Sequence, residues 1–342
     1  MIRPFQLRDL SLLSRLDGNS VPLNASHILT NPTSPVYGAL AHRLLRRNFP
    51  TFIWRSAGNG PVAFAQLHMN QARTQANMLW VGTILDAGRV MPSLRKSAET
   101  WTHEAVWQAL FDELAIYLGT RGVQNVIAEA REDGAEAGML RNIGFATYAR
   151  QDILKLEQWQ PSDNSIAKLL TPSRRSDDWD IELLYAHTVP HMIRMIEPHP
   201  IINDDSWVYH EKNELVAFAN HKAGRSADWL QLMIRLEAKA DIDQLVRDAI
   251  IFKPPAKDRP LYCNLRQYQS WLRPALESNG FRQIGSQLIL VRHTMQQKKQ
   301  KIVNRLDEVL KAHNGAINTA PYGNTQFSPE VSNFSQSENY AG

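Results

Sequence analysis

The chain is nearly without cysteine. Cys263 is the only one in 342 residues, so no disulfide framework can form, and its place inside a strand-like run reads as a small buried hydrophobe. Long apolar runs are missing too: no stretch approaches the about 20 residues a membrane-spanning helix needs. The N-terminal MIRPFQLRD sets Arg3, Arg8 and Asp9 where a secretory leader requires its apolar segment. A protein of the reducing cytoplasm, without a membrane, is the expectation. No charge of one sign dominates, because 38 basic residues are scattered among 34 acidic ones for a net +4. That balance does not make a nucleic-acid footprint, and a nucleic-acid binder is left only as a third reading. The cluster Arg43, Arg46 and Arg47 reads instead as the basic end of a helix, complementing its dipole. A metal-binding set is also lacking: His187 and His191 are four apart, but Pro190 interrupts them and neither His199 nor Glu197 completes a well-spaced group. No metal is expected.

What is present is an ordinary globular composition, 43% hydrophobic and 21% charged. The length exceeds what one core usually serves, so two domains are expected. A duplication says what they are. Gly144, Phe145, Tyr148, Gln151, Ile153 and Leu154 fall on Gly280, Phe281, Ile284, Gln287, Ile289 and Leu290, an offset of 136 (144 to 280). Upstream, Val62-Ala63-Phe64-Ala65 recurs letter for letter at Val216-Ala217-Phe218-Ala219.

In chain order, Ile2 to Gln6 reads as a strand and LRDLSLLSRL as a helix. Asn24 to Pro35 reads as loop, being rich in Asn, Ser, Thr and Pro. A helix opens at Ser34, its cap, with Pro35 in the first position. TFIWRSA, PVAFAQLHM and NMLWVGTIL form an antiparallel meander, its first turn at Gly58-Asn59-Gly60. A long helix follows with Val106, Leu110, Leu114 and Leu118 on one face and Gly119 or Gly122 near its stop. Such a helix is a crossover, so the strand Val123 to Ala130 must return parallel to the last strand of the meander. A short helix to Leu140, the turn Asn142 to Phe145 and a final strand complete the unit.

This order, with its closing Gly-Phe pair and Tyr148, resembles the GNAT acetyltransferase superfamily. The resemblance covers residues 1–157 and again 179–293, so the chain looks like an α/β (α+β) protein of two tandem GNAT-like domains. Each is a mixed, mostly antiparallel sheet flanked by helices. Residues 158–178 form the linker, 294–313 an amphipathic helix suited to docking on the domains or on a second copy, and 314–342 a disordered tail without Lys or Arg.

The resemblance implies acetyl-CoA as acyl donor and a small-molecule or peptide amine as acceptor. In that family the acyl-CoA arm lies in a splay between the fourth and fifth strands, here flanked by Val81, Thr83 and Leu85. Its pyrophosphate sits at the N-terminus of the crossover helix, where unpaired N–H groups and the helix dipole attract anions. The family's Arg-x-x-Gly-x-Gly/Ala pattern is not kept. Matched through Pro92, its places fall on Arg95, Ala98 and Thr100, leaving Arg95, Lys96 and Ser97 to bind phosphate through side chains. Matched through Leu110-Phe111, they fall on Thr102, Ala105 and Trp107. As plain surface chemistry, Arg95 and Lys96 are equally solvated loop charges.

The tyrosine that protonates the leaving thiolate in this family would stand at Leu140, and at Leu276 in the second half; neither residue can give a proton. Candidate bases are Asp86, at the end of the fourth strand, and Glu129, on the fifth. The second half has a shorter crossover helix with no phosphate-binding loop, so acyl-CoA is expected in the first half only. An N-acyltransferase is therefore the reading, with a non-catalytic binding or regulatory module as its rival and a homodimer as a further expectation.

Overall fold

The computed structural model describes residues 1–45, 47–58, 60–85, 101–159, 168–197, 199–200 and 202–294, and Met1–Gln296 form one compact unit. Asp86, Arg95, Lys96, Ser97, part of the linker and the proposed C-terminal helix and tail lie outside the described residues.

The first half runs β1 (Ile2–Pro4), α1 (Leu10–Asp17), β2 (Ser20–Pro22), α2 (Ala25–Thr30), α3 (Pro35–Leu45), β3 (Thr51–Arg55), β4 (Val62–Met69) and β5 (Gln75–Ile84). It continues with α4 (His103–Gly119), β6 (Asn125–Arg131), α5 (Ala135–Asn142) and β7 (Ala146–Leu156). The second half repeats the plan: β8 (Thr171–Pro172), α6 (Asp178–Thr188), α7 (His191–Arg194), β9 (Ser206–Glu211), β10 (Glu214–Ala223), β11 (Asp228–Ile234), α8 (Ile242–Phe252), β12 (Leu261–Arg266), α9 (Arg273–Ser278) and β13 (Arg282–His293).

Local chemistry accounts for the boundaries. The Thr102 hydroxyl accepts the Ala105 N–H and opens α4, whose Val106, Leu110, Leu114 and Leu118 are all buried. Lys212 and Asn213 both take positive φ, 48° and 68°, the backbone a two-residue hairpin turn needs between β9 and β10. Gly144 and Gly280 hold matching left-handed φ of 92° and 91° after α5 and α9, and the phenylalanines that follow are both buried. One expectation is corrected: Asn24 to Pro35 is not all loop. The Asn24 side chain accepts the His27 N–H at 2.9 Å and starts α2.

All strands on the main path join one sheet, in the order β1-β3-β4-β5-β6-β13-β7-β12-β11-β10-β9-β8, with β2 paired to β5. The two halves exchange their last strands. β13, from the second half, lies between β6 and β7 of the first, and β7 in turn pairs with β12. The cores follow the exchange: Leu288 and Leu290 of β13 pack in the first-half core with Leu110 and Phe111, while Leu154 and Leu156 of β7 pack in the second-half core with Leu245 and Ile250. Helices cross over as well. Ala25 of α2 packs on Ala227, Trp229 and Tyr262, and Ile196, just past α7, packs on Ile127, Ile289 and Val291.

Cys263 is buried in β12, and burial pushes its thiol up to about 12. No helix among the described residues is long and apolar enough to cross a membrane.

Candidate functional site

Parallel strands β5 and β6 are neighbours only at Gln75, Ala76 and Asn77, which face Asn125, Val126 and Ile127. Beyond that point they part. The gap is a wedge, and the chain's own β2 runs into it, antiparallel to β5, with Ser20 opposite Gly82, Val21 opposite Val81 and Pro22 opposite Trp80. Leu23 then bridges the two walls: its N–H donates to the Leu79 carbonyl at 2.9 Å and its carbonyl accepts the Glu129 N–H at 2.7 Å. Seating a third backbone between two strands separates them by about two strand spacings, about 9–10 Å. The Leu23 side chain is fully buried in the first-half core.

Among the expected site residues, Val81 thus faces Val21 rather than an open edge. Thr83 is buried, and its hydroxyl accepts the indole N–H of Trp107 at 3.0 Å. Trp107 itself is buried against Phe111, so its ring fills the space under β5 on the α4 side. Leu85 is half-buried against the same core. The close approach of α1 requires Gly82: a Cβ there would lie 2.3 Å from the Phe64 ring and 3.0 Å from the Leu16 carbonyl oxygen.

Glu129 stands at the β6 wall. Besides its backbone bond to Leu23, its carboxylate Oε2 accepts the N–H of Ala25, the first residue of α2, at 2.7 Å. Burial pushes this carboxyl above the ordinary range, partly opposed by the positive charge of Arg266 and the Ala25 N–H. Beside it opens a cavity of about 960 Å³, whose lining includes Pro22, Asn24, Leu29, Glu129, Glu136 and Ile153. Behind α2, the Phe49 ring lies between His27 and His68, with centroids 5.4 and 5.8 Å away. Burial, together with the positive charges of His68 and Lys222, pushes His27 down to about 4.

The second half has the same wedge in reduced form. β11 and β12 are paired only at Asp228–Leu230 and Leu261–Cys263, and the buried Gln269 donates its amide to the Leu232 carbonyl at 2.9 Å. At the start of α8 the anion position is already filled. Glu211 accepts the Lys239 and Ala240 N–H groups, each at 2.9 Å, and the Asp241 side chain caps the helix. Self-supplied carboxylates there repel a phosphate. Leu140 and Leu276, at the two tyrosine places, are both fully buried.

Reading the residues alone missed Ser20 to Ala25. The detectable signal was Asn24 as a cap before SHIL; three residues of β2 are too few for any period to show.

No protein-family model matches the sequence, and no curated protein sequence matches it. Solved structures do. A GCN5-related N-acetyltransferase from Sphaerobacter thermophilus aligns over 86% of this chain and 95% of its own, at 10% identity and a TM-score of 0.50. A tandem GNAT protein from the clavulanic acid biosynthesis pathway, in a structure without AcCoA, aligns over 86% of this chain and 98% of its own, at 10% identity and a TM-score of 0.47.

Proposed function

We propose, for a chain whose fold is that of the GNAT acetyltransferases twice over, that the first half transfers an acyl group from acyl-CoA to an amine and that Glu129 takes the amine's proton. The observation that carries this reading is the divergence of β5 from β6 past Asn77 and Ile127, with Glu129 on its wall and the cavity beside it. A carboxyl whose pKa burial raises above the ordinary range is better matched to an ammonium donor than an ordinary one. Glu136, on the same cavity, adds negative charge that favours a cationic acceptor.

An acyl-CoA arm does not fit the wedge while Ser20 to Leu23 lie along β5. Arg95, Lys96 and Ser97 are proposed as its phosphate contacts, and Asp86 as a second base; all four lie outside the described residues.

The test is acetyl transfer by the whole protein from acetyl-CoA to a panel of primary amines, followed by release of free thiol. Glu129→Gln keeps an acceptor for the Ala25 N–H and should lower the rate by about 10²-fold or more. Equal rates for the two proteins would remove Glu129 from the chemistry. A second reading, a non-catalytic binding module, is favoured by the buried Leu140 and Leu276 where the family's proton donor would stand. In that case no amine of the panel would release thiol.

A further inference from the structure

We infer that Ser20 to Ala25 form an autoinhibitory strap, which closes the wedge of the first half and is held there by the second half. Its backbone hydrogen bonds with the two walls are of the kind an amide-bearing ligand could replace one for one, while the buried Leu23 side chain and the Glu129 carboxylate on the Ala25 N–H hold it in place. They are the Leu23 N–H on the Leu79 carbonyl, the Leu23 carbonyl on the Glu129 N–H, and the register pairs along Trp80 to Gly82. A ligand bringing its own amide groups would leave neither wall with an orphaned backbone group, so exchange of strap for ligand leaves few hydrogen bonds unmade. On the near side the strap is tied to α1, where the Ser20 hydroxyl donates to the Asp17 carbonyl at 2.7 Å.

The far side is tied to the other half of the molecule. Thr30, the last residue of α2, accepts the Ser226 N–H at 3.0 Å, and the Asn31 side-chain oxygen accepts the Arg225 N–H at 3.2 Å. Between them Gly224 lets the β10–β11 turn close on α2. A Cβ at Gly224 would lie 2.5 Å from both the Cβ and the carbonyl oxygen of Thr30, and 2.6 Å from the Ala227 carbonyl oxygen. α2 also rests on Ala227, Trp229 and Tyr262. The second half therefore acts as the anchor of the strap, a role that requires no ligand site of its own. Ligand affinity is set by the fraction of molecules in which the strap is out.

Two measurements on the full chain test this. In the first, hydrogen exchange is followed without ligand in wild type and in Gly224→Ala, which pushes on Thr30 from the second half and touches no residue of the wedge. Exchange at the backbone amides of Leu23 and Glu129 should rise about tenfold or more, while the shared strands at Ala149 to Ile153 stay as protected as in wild type. Unchanged exchange at Leu23 and Glu129 overturns the strap; faster exchange everywhere, the shared strands included, means general loosening and overturns it too.

The second measurement rests on the acyl-transfer reading above. Val21→Cys and Val81→Cys, opposite one another across β2 and β5, are joined by oxidation and freed by reduction, and acetyl-CoA binding is titrated in both states. The oxidised protein should bind at least about tenfold more weakly than the same protein reduced. Equal, measurable binding in the two states overturns the strap as a barrier. If neither state nor Gly224→Ala binds acetyl-CoA while the exchange result holds, the strap stands and the acyl-CoA reading fails.

Discussion

Gln151 and Gln287 are the same residue of the duplicated unit, and they face each other. They are opposite in the β7–β13 register, and the Gln151 amide donates to the Gln287 side-chain oxygen at 3.1 Å. A residue meeting its own copy in antiparallel register lies on the pseudo-twofold axis relating the halves. The Gln151 side-chain oxygen further accepts from Arg266 Nη1 at 2.6 Å and Asn264 at 3.3 Å, so this buried amide joins both halves on the axis.

Gln151→Ala should therefore destabilise the protein by about 1–3 kcal/mol, because it takes one partner each from the half-buried Arg266, which keeps its ion pair with Glu197, and from the Gln287 oxygen. Urea unfolding of the two single alanine variants and the double variant measures this. The cycle should return a coupling of about 0.5–1.5 kcal/mol; additive losses would mean that the two amides do not act as a pair.

The halves should not fold apart. Residues 1–159 alone lack β13, so facing edges of β6 and β7 are bare and the first core loses Leu288 and Leu290, each worth about 1.5–3 kcal/mol of burial. Expressed singly, that fragment should be aggregated or unfolded by circular dichroism, and co-expression with residues 168–294 should recover a soluble pair. A well-folded monomeric fragment would contradict the exchanged topology.

His27 should make stability depend on acid. Its folded pKa, about 4, lies below the ordinary value near 6.5. The unfolded chain therefore binds the proton first, and stability is lost as pH falls from about 6.5 to about 4. His27→Gln should flatten this part of the stability profile, measured by urea unfolding at several pH values. An unaltered slope would mean that His27 is not held neutral beside Phe49.

Most of the individual elements were legible in the residues, and the way they are shared was not. Val106, Leu110, Leu114 and Leu118 repeat at helical spacing because they line one buried face. The Gly-Phe pairs mark the two helix stops because only glycine takes φ near 90° without strain. Exchange of β7 and β13 left no such mark. The two strands are copies, so either could fill the slot beside β6 by local pattern, and the choice is made by tertiary contacts such as Ile153 with Ala25 and Ile289 with Ile196. A gap beside Val81 and Thr83 is what the family resemblance implies; its filling by Leu23 depends on two hydrogen bonds to strands far away in sequence.

The most direct measurement is thermal unfolding of the full chain with and without acetyl-CoA at about 1 mM, run on wild type and on Gly224→Ala. A ligand that binds only the folded state raises the midpoint by mass action, so an acyl-CoA wedge predicts an upward shift, larger in Gly224→Ala than in wild type. Midpoints unmoved in both proteins would contradict an acyl-CoA site and leave a doubled acetyltransferase fold without the donor.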